Sequence, residues 1–165
     1  HSRHGARDQM TMRRLAVLSI ASALAVSPSS IALAAVDGAQ IYHRCAACHL
    51  PTGKGVPGAF PPLQAGVRAL AGTPAGRRYL SLAVIKGLAG PLTVEGKTYR
   101  GMMPAQSGLN DEAVAAVLTH VTATVASGNK AVKPFTAAEV KLARDSGAGL
   151  DAAAVARLQP KLSGK

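Results

Sequence analysis

The clearest helical pattern of apolar residues lies in the second half of the chain. Its valine and leucine residues recur every three or four positions and therefore share one helix face: Val114, Val117, Leu118, Val121 and Val125. Asn110 precedes the pattern as a suitable N-cap, and Gly128 follows it as a stop. We therefore predict an amphipathic helix between Asn110 and Gly128, with its apolar face in the core.

A second helix is predicted over about residues 74–86. Thr73 is a favourable N-cap, and Pro74 fits the first helical position, where a missing N–H is tolerated. Leucine, valine and isoleucine residues give this helix an apolar edge, and Gly87 marks its end.

Residues 129–165 hold two shorter helical patterns. Thr136 and Glu139 have the spacing of a capping box, which predicts the start of a helix. Gly147 interrupts that helix, and Asp151 begins a last short one. We interpret this segment as a C-terminal helical extension.

Strand patterns are short. Leu92–Val94 and Lys97–Tyr99 flank Glu95-Gly96, which predicts a small β-hairpin. Residues 50–63 include four prolines and three glycines, which exclude a regular helix or strand and predict a loop. The chain is thus predicted to be mainly α-helical.

The N-terminal residues have the pattern of a secretory signal. Arg13 and Arg14 precede an apolar run over residues 15–26, and Ala32-Leu33-Ala34 resembles a cleavage site. The alternative, an uncleaved membrane anchor, is disfavoured because the apolar run is too short to span a bilayer. We predict a start at Met12, with Met10 as the alternative, cleavage after Ala34 and a periplasmic mature protein.

Both cysteines of the chain lie in the sequence Cys45-Ala46-Ala47-Cys48-His49. Two cysteines separated by two residues and followed at once by histidine form the attachment motif of c-type haem. A helix that starts at Asp37 or Gly38 would hold both thiols and the imidazole in one turn. The thiols can then form thioethers to the two vinyl groups of one haem, and His49 can ligate the iron.

Two other uses of a CxxC pair fit the sequence less well. A structural zinc site needs four nitrogen or sulfur ligands, and there is no second cysteine pair. A thioredoxin-type dithiol follows a strand in a βαβ pattern, which is absent. The low aromatic content, 3% of residues, also fits haem, because a buried porphyrin would supply apolar bulk.

A methionine pair supplies the candidate for the opposite side of the iron. Met102 and Met103 lie in a loop that Pro104 keeps extended, and a thioether is a recognised axial ligand of haem iron. We predict Met103 as the ligand because it adjoins Pro104, with Met102 packing beside the ring; Met102 is the alternative ligand. His43 and His120 are weaker candidates, since the first is too close to the cysteine pair and the second lies on a predicted helix.

The chain resembles the class I c-type cytochromes over about residues 37–128. The matching features follow one another in the order found in that family: Cys45-Ala46-Ala47-Cys48-His49, the loop that ends in Pro61-Pro62-Leu63, the segment Gly101-Met102-Met103-Pro104, and the amphipathic helix after it.

The resemblance implies a small all-α cytochrome c-like fold around one covalent haem c, with a short β-hairpin before the methionine loop. Cys45 and Cys48 would hold the haem, and His49 and Met103 would be the axial ligands. Pro61 would supply a carbonyl partner for His49. The domain organisation predicted is a leader over residues 1–34, a cytochrome domain over 35–128 and an extension over 129–165.

The function that this implies is one-electron transfer, not enzymatic catalysis. The protein would be a soluble periplasmic carrier, or the cytochrome subunit of a dehydrogenase or reductase in a respiratory chain. The alternative is a haem enzyme or a gas-binding module with a labile distal methionine.

Charge suggests the kind of partner. The net charge is +11, and residues 1–34 carry four Arg and one Asp, which leaves +8 on residues 35–165. This favours redox proteins with acidic docking surfaces, although a merely solvated basic surface is the alternative. Nucleic acid is not favoured, because no basic-aromatic patch or nucleic-acid motif is present. No membrane insertion is expected after the signal is cleaved.

Overall fold

The computed structural model describes residues 35–128 and 131–161, which belong to one compact unit. The predicted leader, with its start and cleavage sites, lies outside the described residues. In chain order the elements are α1 (Gly38–His49), α2 (Ala65–Ala71), α3 (Pro74–Lys86), β1 (Leu88–Ala89), β2 (Leu92–Val94), β3 (Lys97–Tyr99), β4 (Met102–Met103), α4 (Asp111–His120), α5 (Ala137–Ser146) and α6 (Ala152–Arg157). The predicted mainly α-helical fold is confirmed.

The predicted helix starts are also confirmed. The side-chain oxygen of Asn110 accepts a hydrogen bond from the Ala113 amide at 2.9 Å, and the Thr73 hydroxyl accepts one from Gly76 at 3.0 Å. Thr136 and Glu139 form the predicted capping box at the start of α5. Each cap satisfies amides that the first helical turn leaves without partners.

The hydrophobic core contains helices from both described ranges, 35–128 and 131–161. Its fully buried large side chains come from α3, α4, α5 and α6: Leu82, Val114, Val117, Val140 and Val155. α1 packs against α4, where the ring centroids of Tyr42 and His120 lie 5.5 Å apart. No helix among the described residues is long and apolar enough to cross a membrane.

Two antiparallel strand pairs precede α4. The predicted hairpin is present as β2 and β3, with Leu92 opposite Tyr99. A second pair, β1 with β4, was not predicted, and it places Leu88 opposite Met103. The methionine segment is therefore part of a ladder rather than a free loop.

The end of α4 differs from the prediction. The helix continues as a π-helical turn, Val121–Val125, and stops before Gly128. The Arg68 guanidinium donates hydrogen bonds to the carbonyls of Thr122 and Ala126 in and just after this turn. Because the arginine binds carbonyl groups that a longer helix would use itself, it favours the earlier end.

Candidate haem site

The CxxCH motif occupies the last turn of α1. Asp37 caps this helix, with a carboxylate oxygen 2.8 Å from the Ala39 amide. Cys45 and Cys48 lie there as free, half-buried thiols, three positions apart, so both project from one side of the helix. Burial raises the pKa of the Cys45 thiol.

His49 is buried and is oriented by the loop that follows it. Its Nδ1 atom lies 2.9 Å from the carbonyl oxygen of Pro61. A carbonyl only accepts, so Nδ1 carries the proton and the lone pair is on Nε2. Burial lowers the pKa of His49, which favours the neutral imidazole that can bind a metal. The Pro61 carbonyl is thus in the position that the family resemblance implied.

Close backbone packing brings that carbonyl into place. A Cβ atom on Gly55 would overlap the Phe60 carbonyl oxygen and lie 2.7 Å from that of Pro61. Gly55 has φ +62, and its amide donates to the His49 carbonyl at 3.0 Å. Glycine is required here because a side chain would push the Pro61 segment away from the imidazole.

A strained residue follows His49 directly. Leu50 has φ 65 and ψ 156, a backbone region that is almost confined to glycine. Two hydrogen bonds hold its carbonyl: the Tyr42 hydroxyl donates at 2.8 Å and the Gly53 amide at 3.0 Å. These contacts fix the turn from α1 into the loop.

The two methionines have different surroundings. Met102 is 73% exposed, whereas Met103 is half-buried and packs against the core. Successive strand residues point to opposite faces, so only one of the pair can face inward. The carbonyl oxygen of Ala59 lies 3.6 Å from where a Cβ on Gly101 would be, so the His49 loop and the methionine segment adjoin.

The other sequence candidates lie away from this arrangement. His43 is exposed on α1, and His120 is on α4 with its ring against Tyr42. Among residues 35–128 and 131–161, no group of three or more His, Cys, Asp or Glu residues could hold a metal ion.

The donor set fits haem c. Two thiols and an imidazole lie in one turn, the imidazole has a free Nε2 lone pair, and a separate strand carries an inward thioether. These are the groups needed for two thioether bonds and two axial ligands.

Sequence reasoning missed the residues that support the site. The ring of Tyr42 contacts His120 on α4, and its hydroxyl donates to the Leu50 carbonyl, a bond that no local sequence pattern predicts. Gly55 was one of several glycines in a loop, with nothing in the sequence to single it out. Their roles depend on contacts between segments, which local patterns do not encode.

Comparisons with known proteins identify the family of the chain. Residues 35–124 match the family model for cytochrome c. The chain is 46% identical over 116 residues to a cytochrome c-552 of Thermus thermophilus, an alignment that covers 69% of this chain and 78% of the relative. A second Thermus thermophilus cytochrome c-552 is 46% identical over 110 residues, or 66% of this chain and 84% of that protein. The chain therefore belongs to the cytochrome c family: it is a monohaem c-type cytochrome that transfers electrons through covalently bound haem c.

Proposed function

We propose that the protein is an exported one-electron carrier with His49 and Met103 as axial ligands and with Cys45 and Cys48 as the thioether residues. The observation that carries this proposal is the orientation of His49. Its Nδ1–H donates a hydrogen bond to the carbonyl oxygen of Pro61, with 2.9 Å between the nitrogen and the oxygen. This leaves Nε2 as the ligating atom. Such a hydrogen bond fixes a ligating ring and raises its basicity.

When bound, haem c supplies a one-electron couple at its iron. His49 and Met103 would hold that iron and tune its reduction potential. Pro61 keeps the His49 ring in one tautomer and orientation. Met103 supplies a thioether, a ligand that raises the reduction potential. With both His49 and Met103 bound, the iron would offer no position to a substrate, as expected of a carrier rather than an enzyme.

Met103 is preferred to Met102 because of its position on β4. It is half-buried against the core, whereas Met102 is 73% exposed. We expect Met103→Ala to lose the iron–sulfur charge-transfer band in the absorption spectrum and Met102→Ala to keep it. The two variants are matched controls, since they remove the same side chain from adjacent strand positions. Loss of the band in Met102→Ala alone would assign the ligand to Met102 instead.

The second candidate function is a haem enzyme or gas-binding module in which Met103 is labile. The observation that favours it is that Met103 is only half-buried. Carbon monoxide distinguishes the two, because a firmly bound thioether blocks its access to ferrous iron. We expect slow, weak binding; fast, tight binding would support the enzyme or gas-binding function.

The proposed docking surface lies where the loop after His49 adjoins the methionine segment. Val56, Phe60 and Met102 expose apolar side chains there. Lys54 and Arg100 are exposed too, and each lies two positions along the chain from one of these residues. An apolar surface with a basic rim suits a redox partner with an acidic rim. The periplasmic location stays part of this proposal; the mass of the secreted protein tests it, with cleavage after Ala34 expected.

A further inference from the structure

The C-terminal end of α3 touches the backbone of the methionine segment. A Cβ atom on Gly87 would overlap the Met103 carbonyl oxygen, and it would lie 2.8 Å from the Ala105 nitrogen. Non-bonded carbon, nitrogen and oxygen atoms do not approach this closely without strong repulsion. Only glycine at position 87 therefore allows the two segments to adopt their observed separation.

The conformation of Gly87 also leads the chain into the strand that pairs with Met103. Its φ of 75 and ψ of −176 lie in a region that is essentially confined to glycine. The next residue, Leu88, begins β1 and lies opposite Met103 in the ladder. A side chain at position 87 would thus disturb both the contact and the direction of β1.

A second connection holds the same segment to α3. The amide of Gln106 donates a hydrogen bond to the Val84 carbonyl at 2.9 Å. Val84 lies in the last turn of α3, where carbonyl groups lack helical partners. The stretch from Met103 to Gln106 is therefore attached to the end of α3 by the ladder, by the Gly87 contact and by this bond.

We propose that Gly87 is a positioning residue for the Met103 thioether. It acts through the backbone, because it holds the Met103 carbonyl against the end of α3 and so fixes where the side chain begins. The inference rests on the proposed ligation by Met103 and deepens it. The restricted backbone of Met103-Pro104 does not by itself explain why this segment contacts Gly87 and Val84 at the end of α3.

Adding one methyl group at position 87 should favour the detached state of Met103. The methyl group cannot occupy the observed space, so the methionine segment must move away from α3 or α3 must distort. Either change raises the energy of the ligated state relative to the state with a free thioether. The rate at which carbon monoxide binds ferrous iron follows the population of that free state.

The test compares Gly87→Ala with Gly96→Ala in the holoprotein. Gly96 has φ +76, close to the +75 of Gly87, but a Cβ there would meet nothing within 4 Å. Both variants therefore carry the left-handed φ, and only one carries the collision. We expect Gly87→Ala to bind carbon monoxide about tenfold faster or more, because strain of this kind exceeds one factor of ten in a population, and to weaken the iron–sulfur band. Gly96→Ala should match the wild type in both.

Two results would overturn the inference. One is a folded Gly87→Ala protein with the wild-type band and carbon monoxide rate. The other is an equal change in Gly96→Ala, which would show that general backbone strain is the cause. If Gly87→Ala gives no folded protein, Gln106→Pro replaces it, because proline lacks the amide that binds Val84. The same increase in rate is expected, and an unchanged rate would contradict the proposal.

Failure of the ligand assignment is recognised separately. If Met103→Ala keeps the iron–sulfur band, the proposed ligation is wrong and the role of Gly87 is lost with it. If Met103→Ala removes the band and Gly87→Ala leaves it unchanged, the ligation stands and only the positioning role is rejected.

Discussion

Leu50 shows how a single residue next to His49 carries strain. Its φ of 65 and ψ of 156 disfavour any side chain with a Cβ atom, yet its side chain is 37% exposed and gains little from burial. The hydrogen bonds from Tyr42 and Gly53 hold the carbonyl in place. The turn after His49 is thus maintained at a cost to the stability of the fold.

Leu50→Gly should therefore raise the free energy of unfolding by about 1 kcal/mol, since the relieved strain exceeds the added flexibility of the unfolded chain. Denaturant unfolding of the holoprotein measures it. Leu50→Ala is the matched control: it shortens the side chain but keeps the strain, so it should show no gain. A less stable Leu50→Gly variant would contradict this account.

At the scale of single residues, the sequence was sufficient to predict the haem-binding chemistry of the motif. It was insufficient to predict the residues whose hydrogen bonds hold the motif in place. CxxCH identifies the haem-binding turn because spacing and residue type are local properties. The Tyr42 hydroxyl that binds the Leu50 carbonyl is eight positions away, and the Pro61 carbonyl that binds His49 is twelve positions away. Their pairing depends on how residues 50–63 fold back, which no periodic pattern predicts.

Among the elements, Arg77 on α3 connects the helical core to the segment that leads into α5. Its guanidinium donates to both carboxylate oxygens of Glu139 and to the carbonyls of Lys133 and Pro134. It also lies 3.9 Å from the centroid of the Phe135 ring, a cation–π contact. One buried side chain thus binds four residues of the extension.

The stability of this connection should depend on pH. The hydrogen bond from Arg77 is the main cause that lowers the pKa of Glu139 in the folded protein. In the unfolded chain the pKa is about 4.3. The stabilisation is therefore complete above that pH and is lost as pH falls through the lower folded value.

Glu139→Gln should accordingly reduce the free energy of unfolding by about 1–2 kcal/mol at neutral pH, and the difference from wild type should shrink in acid. Urea unfolding across pH 3 to 7 measures both. Asp145→Asn is the control, because its partner Lys141 is an exposed neighbour on α5 and little change is expected. A difference that persists at low pH would contradict the argument.

Element prediction succeeded where caps and periodicity are strong and failed where they are weak. α3, α4 and α5 each begin at a capping side chain that is visible in the sequence. α2 was not predicted, because its seven residues are mostly small and its N-cap, Gln64, makes no side-chain capping bond. β1 and β4 have two residues each, too short for an alternating pattern.

For the molecule as a whole, positive charge should control the encounter with partners. The net charge of +8 on residues 35–165 includes Lys54 and Arg100, which lie close in sequence to residues of the proposed docking surface. Raising the ionic strength from about 0.01 to 0.15 M shortens the Debye length from about 30 to 8 Å. Attraction to an acidic partner weakens accordingly.

The rate of electron transfer to an acidic redox protein should then fall by about tenfold or more over that range, whereas an uncharged small-molecule reductant should show little change. Stopped-flow kinetics measures both. Lys54→Gln should flatten the salt dependence, and Lys133→Gln, a matched change on the extension, should leave it intact. Equal effects of the two variants would place docking elsewhere.

The contact between the last described helix and β1 has a consequence for where the polypeptide can be shortened. α6 packs on β1, Val155 is fully buried, and the Gln159 amide donates to the Thr93 carbonyl at 2.9 Å. The family match ends at residue 124, yet cutting the chain there would expose β1, the strand that pairs with the methionine strand β4. We therefore expect that a shortened chain must extend through Gln159 to keep Met103, the proposed ligand, in its observed position.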